Sequence, residues 1–257
     1  MSRFVTFNSV QLTSIDGLTI LRANPYLIPK RRLTVDDIAR SNKTKVSSAF
    51  YSQRIITVTV GISRDTREQA EQSLDSLMAI LQGKEKEITL QQGDAEREYI
   101  CTLSEVEFIV SGGSYLELGL VFVCSDAFGY DMNYTTILSL VGITAATRSD
   151  NFTFGGSAPS QVPYFSIYYS AVTGGTDASV TIGNNANGQA ITITRTWAAG
   201  DRLTIDVRNG FVKVNDIEVD YTGALPEFAV GAGTLTYSDT LSTRTFNETV
   251  YYYKRFA

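Results

Sequence analysis

Residues 205–219, IDVRNGFVKVNDIEV, hold Asp206, Asp216 and Glu218 between two asparagine-centred turn signals. Asn209-Gly210 is a strong short-range hairpin signal, because both residues tolerate the positive φ of a tight turn. As a two-residue turn it opposes Val207 to Val212, Ile205 to Val214 and Asp206 to Lys213. Asn215-Asp216 makes a second turn, opposing Val214 to Ile217 and Lys213 to Glu218. Both registers put Ile205, Val207, Val212, Val214, Ile217 and Val219 on one buried face. Asp206, Lys213 and Glu218 then form a ladder of alternating charge on the wet face, each pair contributing about 0.2–1 kcal/mol. A glycoside-cleaving pair needs two carboxylates across a groove. Here a lysine lies between the acids, so the stretch reads as sheet.

The same alternation continues on both sides. Strands are expected at Tyr164–Tyr169, Ser179–Ile182, Gln189–Thr194, Arg202–Val207, Phe211–Val214 and Ile217–Tyr221, with no helical periodicity in this half. Gly183-Asn184-Asn185-Ala186-Asn187-Gly188 has the oxygens of a calcium loop but not its acids, so a hairpin turn is the expectation. The second half reads as a β-sandwich of the jelly-roll kind.

Towards the amino terminus, Asp16-Gly17 predicts a hairpin turn and Arg54–Ile62 a strand. Residues 24–53 are polar and without period, which marks a long arm. The spacing predicts one helix over 66–81, with Asp65 and Glu68 at capping-box separation and Ala70, Leu74, Leu77, Met78 and Leu81 on one face. Glu98–Val110 and Ser114–Cys124 read as paired strands around Gly112-Gly113. A two-residue turn there would oppose Cys101 to Cys124 but would set Glu105 and Glu107 on the leucine face. An odd loop or a bulge instead aligns Val106, Phe108 and Val110 with the leucines. Two free cysteines on opposite faces follow. Composition shifts near residue 136, which sets a domain boundary between 1–136 and 137–257.

The 257 residues carry a net charge of −5, and the acids are spread over the chain, 17 against 14 Lys/Arg in 1–140 and 10 against 8 in 141–257. Neither half is a basic nucleic-acid module. Histidine is absent, which removes Ser-His-Asp and Cys-His catalysis and imidazole zinc sites. There is no P-loop and no Rossmann glycine fingerprint. Ile137–Ala146 is too short and interrupted for a membrane helix, and MSRFVTFNSVQL has no charged-then-apolar leader, so synthesis in a cytosol is expected. Trp197, the single tryptophan, is the residue that would stack on a sugar, against the commoner role of half-buried packing. Pro29-Lys30-Arg31-Arg32 would grip an acidic partner, although most short basic runs are solvated loop.

Three segments together resemble the distal tail protein (Dit) family of siphophage-type bacteriophages. They are SSAFYSQRIITVTVGI followed by TREQAEQSLDSLMAIL, FVCSDAFGYDM (122–132), and NFTFGGSAPSQVPYFSI followed by ITITRTWAAGDRLTIDVRNGFVKVNDIEV. Ala127 stands where the family commonly has proline. The resemblance covers nearly the whole chain through the order of its parts. It implies a mainly β protein, with an amino-terminal tail-tube-like sandwich carrying one helix and a long arm, and a galectin-like or carbohydrate-binding-module-like sandwich after it. It further implies a homo-hexameric ring at the virion tail tip, assembled in the host cytoplasm. Its partners would be the tail tube protein, the tail-tip hub and receptor-binding or baseplate proteins. No enzyme activity, cofactor, metal, membrane insertion or sequence-specific nucleic-acid binding is implied, DNA only passing through the channel. Lys30, Arg31, Arg32, Phe50, Tyr51 and Arg54 are the expected subunit-interface residues. A carbohydrate-binding module at the host surface is the competing expectation.

Overall fold

The computed structural model describes residues 4–24, 31–37, 44–92 and 95–257. They divide into two compact units, Met1–Met132 with Ala257, and Asn133–Phe256. The first contains β1 (Val5–Phe7), β2 (Val10–Gln11), β3 (Leu18–Ala23), β4 (Arg31–Asp37), β5 (Thr44–Tyr51) and β6 (Ile55–Ser63). Helix α1 (Arg67–Ile80), β7 (Lys86–Gln92), β8 (Ala95–Gly112) and β9 (Tyr115–Cys124) follow. Ile56, Val58, Val60 and Ile62 alternate inward on β6 and meet Leu116, Leu118, Leu120 and Phe122 of β9 in one core. Strand β8 is long enough to serve two neighbours. Its first half pairs with β7, which pairs with β1, and its second half pairs with β9. Phe7 and Phe122, one from each side, pack at 5.6 Å.

Helix α1 lies on β6 and β9, burying Ala70, Ser73, Leu77 and Leu81. Its cap is Thr66, whose hydroxyl accepts from the Gln69 N–H at 3.3 Å. The capping residues are thus one position later than Asp65 and Glu68, because the Thr66 backbone is extended and already free to turn its oxygen inward. Ser73 belongs to the buried stripe because its hydroxyl donates to the Asp16 carbonyl. Asp16-Gly17 does turn the chain, with Gly17 at φ +74° and Leu18 N–H donating to Ile15 O. A 3₁₀ turn (Leu12–Ser14) precedes it, so the turn is not a strand-to-strand hairpin. The arm also differs from expectation. Instead of running irregularly, β4 and β5 pair antiparallel from Arg31–Tyr51 to Asp37–Thr44.

The β8–β9 hairpin turns at Gly113-Ser114, opposing Gly112 to Tyr115. Bulges between Leu103 and Glu105 and between Phe108 and Val110 each shift the register by one. Between them Val106 meets Leu120 and Phe108 meets Leu118, as the leucine face requires, while Val110 meets Glu117. Beyond both bulges Cys101 lies directly opposite Cys124. The cysteines are free and buried on the same face, not on opposite faces. Burial raises both thiols to about 12, first by desolvation.

Strand β10 (Gly129–Ile143) begins in the first unit, where Tyr130 and Asp131 pair with Glu98 and Arg97. The second unit holds β11 (Thr147–Phe154), β12 (Pro163–Thr173), β13 (Ala178–Asn184), β14 (Ala190–Arg195) and β15 (Arg202–Asp206). It continues with β16 (Phe211–Val214), β17 (Ile217–Glu218), β18 (Thr222–Gly223), β19 (Gly231–Asp239) and β20 (Thr243–Phe256). Two antiparallel sheets, β17-β16-β15-β12-β20 and β11-β19-β13-β14-β18, face each other through Tyr169, Tyr237 and Phe246. Among the described residues the second unit has no helix, and no helix of the chain is long and apolar enough to cross a membrane.

The 205–219 stretch is sheet, with one correction. Asp206 opposes Phe211, Ile205 opposes Val212 and Thr204 opposes Lys213. The turn is therefore four residues long and the register moves by two, which leaves every side chain on its expected face. Asp206 causes this. Its carboxylate accepts from the Asn209 backbone and side-chain nitrogens at 2.9 and 2.7 Å, and Gly210 N–H reaches the Asp206 carbonyl. Asp206 is buried in that turn, not paired with Lys213. The second turn falls at Asn215 and Asp216, both with positive φ, and Lys213 opposes Glu218. Ile217 opposes Val214 and so keeps its expected face, but at the sheet edge it is 71% exposed where burial was expected.

Candidate assembly surface

Two of the segments that looked informative in sequence meet at the root of the arm. Arg54 is 2% exposed. Its Nε donates to the Ala127 carbonyl at 2.8 Å and its Nη1 to Tyr99 Oη at 3.2 Å, with the guanidinium 5.2 Å from the Tyr99 ring centre. Tyr51 packs edge-on against Phe128 at 5.0 Å. The 126–130 turn is itself tied by Asp126, which accepts from the Phe128 N–H and from Tyr130 Oη. Gly129 belongs here for a steric reason. A Cβ would stand 2.6 Å from the Tyr99 ring. Tyr99 was not singled out in sequence, since one aromatic in an alternating strand gives no signal of its partners.

The expected interface residues therefore separate. Arg54 is consumed inside the first unit and Tyr51 is half-buried against Phe128. Arg31, Arg32 and Phe50 sit on the β4–β5 ribbon, opposing Tyr51 (Arg31) and each other (Arg32 with Phe50), and Arg32 is exposed. Lys30 lies outside the described residues. Among the described residues no group of three or more His, Cys, Asp or Glu is placed to hold a metal.

In the second unit the third segment ties chain ends together. Gln161, fully buried, exchanges backbone bonds with Phe228, while its side chain accepts from Arg255 N–H at 2.8 Å and donates to Arg255 O at 3.3 Å. Phe152, Phe154 and Phe228 cluster beside it. Trp197 is 3% exposed, donates from Nε1 to Ala178 O at 3.0 Å and packs on Tyr169. It has no free face for a sugar. The Gly183–Gly188 run is a hairpin turn, closed by Gly188 N–H on Asn184 O and held by Asn184 and Asn187 amides on Glu227 O.

The buried charges named in this unit are paired. Arg148 bonds Asp150 and Glu248, Arg244 pairs with Asp239 at 2.9 Å, and Tyr237 Oη donates to Asp239 at 2.7 Å. Desolvation raises the Glu248 carboxyl above its ordinary value, against the lowering effect of Arg148.

The hollows are open and polar. One of about 540 Å³ runs beside the opening stretch, between Arg195 and Thr196 on one side and Ile217, Glu218 and Asp220 on the other. Another, of about 480 Å³, lies between the Asp16 turn and α1.

No protein-family model and no curated protein matches the sequence. Solved structures do. SPP1 Dit (gp 19.1), described as a paradigm of hub adsorption apparatus in phages infecting Gram-positive bacteria, superposes with a TM-score of 0.72 at 12% identity, over 100% of both chains. A chain of the phage P2 baseplate in its activated conformation matches with a TM-score of 0.54 at 10% identity, over 99% of this chain and 98% of that one. The chain has the Dit fold. At this identity the Dit likeness covers architecture and leaves the surface chemistry to be read from this chain.

Proposed function

We propose that this protein is a structural component of a phage tail tip, a Dit-type hub, and not an enzyme. Six copies close into a ring through the first unit, which acts as the tail-tube-like domain (1–136). The ring joins the tail tube protein on one side and the tail-tip hub on the other, leaving a channel for DNA. The second unit (137–257), read as a galectin-like or carbohydrate-binding-module-like jelly roll, faces outward and holds receptor-binding or baseplate proteins. Assembly takes place in the host cytoplasm. One observation carries this reading, the match to SPP1 Dit over the full length of both chains.

Physical features support it. A net charge of −5 lets a channel pass DNA without gripping phosphates. A closed ring of identical subunits needs two different, complementary patches on each copy, and an extended ribbon supplies one. The interface is assigned to residues 30–54, with Lys30, Arg31, Arg32, Phe50 and Tyr51 reaching the neighbour and Arg54 fixing the ribbon's root. The competing sugar-binding reading loses its stacking residue with the burial of Trp197.

Solution mass over a range of concentrations, with electron micrographs of the same fractions, tests the ring. A mass near six times 28.2 kDa and ring-shaped particles are expected. A monomer at every concentration counts against it, and so does a variant lacking 30–53 that still closes.

A further inference from the structure

Cys101 on β8 and Cys124 on β9 face each other directly, both free and both 1% exposed. The kind of opposition matters. In an antiparallel pair, opposed residues alternate between those that exchange backbone bonds, with Cα atoms about 5.5 Å apart, and those that exchange none, about 4.5 Å apart. Cys124 N–H donates to Arg54 O, on the β6 side, at 2.9 Å, and the next residue, Ser125, donates its N–H to Ile100 O of β8 at 3.0 Å. A strand residue turns its N–H and C=O to the same side. Cys124 therefore spends its backbone on the β6 side and opposes Cys101 as one of the closer, non-bonded pairs. Bridged cysteines have Cα atoms about 4.4–6.8 Å apart, so the sheet already holds these two within bridging distance.

We propose that Cys101 and Cys124 are a latent disulfide, closed by hydrogen peroxide without rearrangement of the sheet. One thiolate attacks the O–O bond, giving a sulfenic acid and hydroxide, which takes up the proton that thiol released. The second sulfur displaces the hydroxyl from the sulfenic sulfur, forming the S–S bond and a second water. In sum two thiols lose two protons and two electrons, and one peroxide becomes two waters. Burial sets both the rate and the lifetime. Desolvation holds both thiols at about 12, so thiolate is scarce near neutrality and the pair survives a reducing cytosol unreacted. The same burial admits a molecule scarcely larger than water and keeps bulky thiols off the finished bond. The position gives the bond a use. Tyr99 lies just before Cys101 and Ala127 just after Cys124, and these two hold Arg54 at the root of the arm. The bond cross-links the strands that grip it. That use, in a part that folds inside the host and works outside it, rests on the tail-tip reading, whereas the chemistry rests on the register alone.

The test treats the reduced full-length protein with hydrogen peroxide well below its melting temperature and weighs the denatured chain, which reads the bond whatever the state of assembly. Wild type should become about 2 Da lighter, lose both alkylatable thiols, yield one peptide pair joined through 101 and 124, and recover its mass with dithiothreitol. C101S and C124S should keep their one thiol or gain about 16 or 32 Da, and never lose 2. Oxidised wild type should melt about 5–10 °C above the reduced protein, with no such rise in C101S/C124S. Thiols that stay alkylatable until the chain unfolds, chains linked to one another, or sulfinic acid in place of the bond would each overturn the proposal. A bond that forms but lowers the melting temperature overturns its role as a staple. None of these outcomes bears on the ring, which the solution mass of the reduced protein decides separately.

Discussion

Two groups of carboxylates, one in each unit, are placed differently. In the second, Arg148, Asp150 and Glu248 bond one another between β11 and β20, and Asp239 holds both Arg244 and Tyr237. In the first, Glu105, Glu107 and Glu117 stand on an outer sheet face beside exposed Leu21 and Ile109. Polar groups that the fold has enclosed are spent on one conformation. Those left outside beside apolar surface are available to a partner.

The sharpest way to break that contrast is Arg148→Met. Removing it strands Glu248, whose side chain has 0% exposure, and breaking a buried pair from one side costs about 3–5 kcal/mol. Chemical denaturation at pH 7 should show that loss. The pH dependence has a definite sign. A carboxyl whose folded pKa is raised holds its proton longer in the native than in the unfolded chain, so its fold loses stability as pH rises above about 4.5. The deficit of the variant relative to wild type should be small near pH 4 and full at neutrality. By contrast, Glu107→Lys in the first unit should leave stability within about 0.5 kcal/mol. A large loss there, or none at Arg148, removes the distinction.

Next in size is Arg54→Ala. It deletes donors to the Ala127 carbonyl and Tyr99 Oη, and hydrogen bonds to a charged group are each worth about 1.5–3 kcal/mol. A loss on the order of 3 kcal/mol by denaturant titration is expected. Arg54→Lys should not restore it, because an ammonium lacks the planar fork that serves both acceptors. Gly129→Ala sharpens the same point at about 1–3 kcal/mol, by forcing a methyl into the Tyr99 ring. Were Arg54 a surface contact, its replacement would lower assembly and leave monomer stability alone.

These residues also show how far the sequence was readable. The alternation of β6 and the helix stripe announced themselves, since period and burial coincide there. Arg54 looked like a surface residue because a basic side chain after a polar arm normally is one. What holds it inside is Tyr99 and the Ala127 carbonyl, the latter 73 residues on, and local pattern carries no information about such partners. The hairpins teach the complementary lesson. Asp206 drew the turn back by two residues and every face survived, while the bulges in β8 each moved the register by one and set Cys101 opposite Cys124. Shifts of two are forgiving and shifts of one are not. The outer sheet face was least legible of all, because Gly61, Gly119, Leu21 and Ile109 lie on four different strands.

The smallest effect decides the question with which the sequence opened. A ladder of Asp206, Lys213 and Glu218 predicts that both neighbouring pairs couple. The structure opposes Lys213 to Glu218 but gives the Asp206 carboxylate to Asn209. In double-mutant cycles on unfolding free energy, Lys213 with Glu218 should therefore couple by about 0.2–1 kcal/mol, and Asp206 with Lys213 by less than the measurement error. Asp206→Ala alone should still cost about 1 kcal/mol or more, through the turn bonds it loses. Substantial coupling between Asp206 and Lys213 would mean that the two-residue Asn209-Gly210 turn is the one the protein uses in solution. That outcome would bring the two charges side by side on the sheet without altering which face is buried, so the stretch would remain sheet under either register.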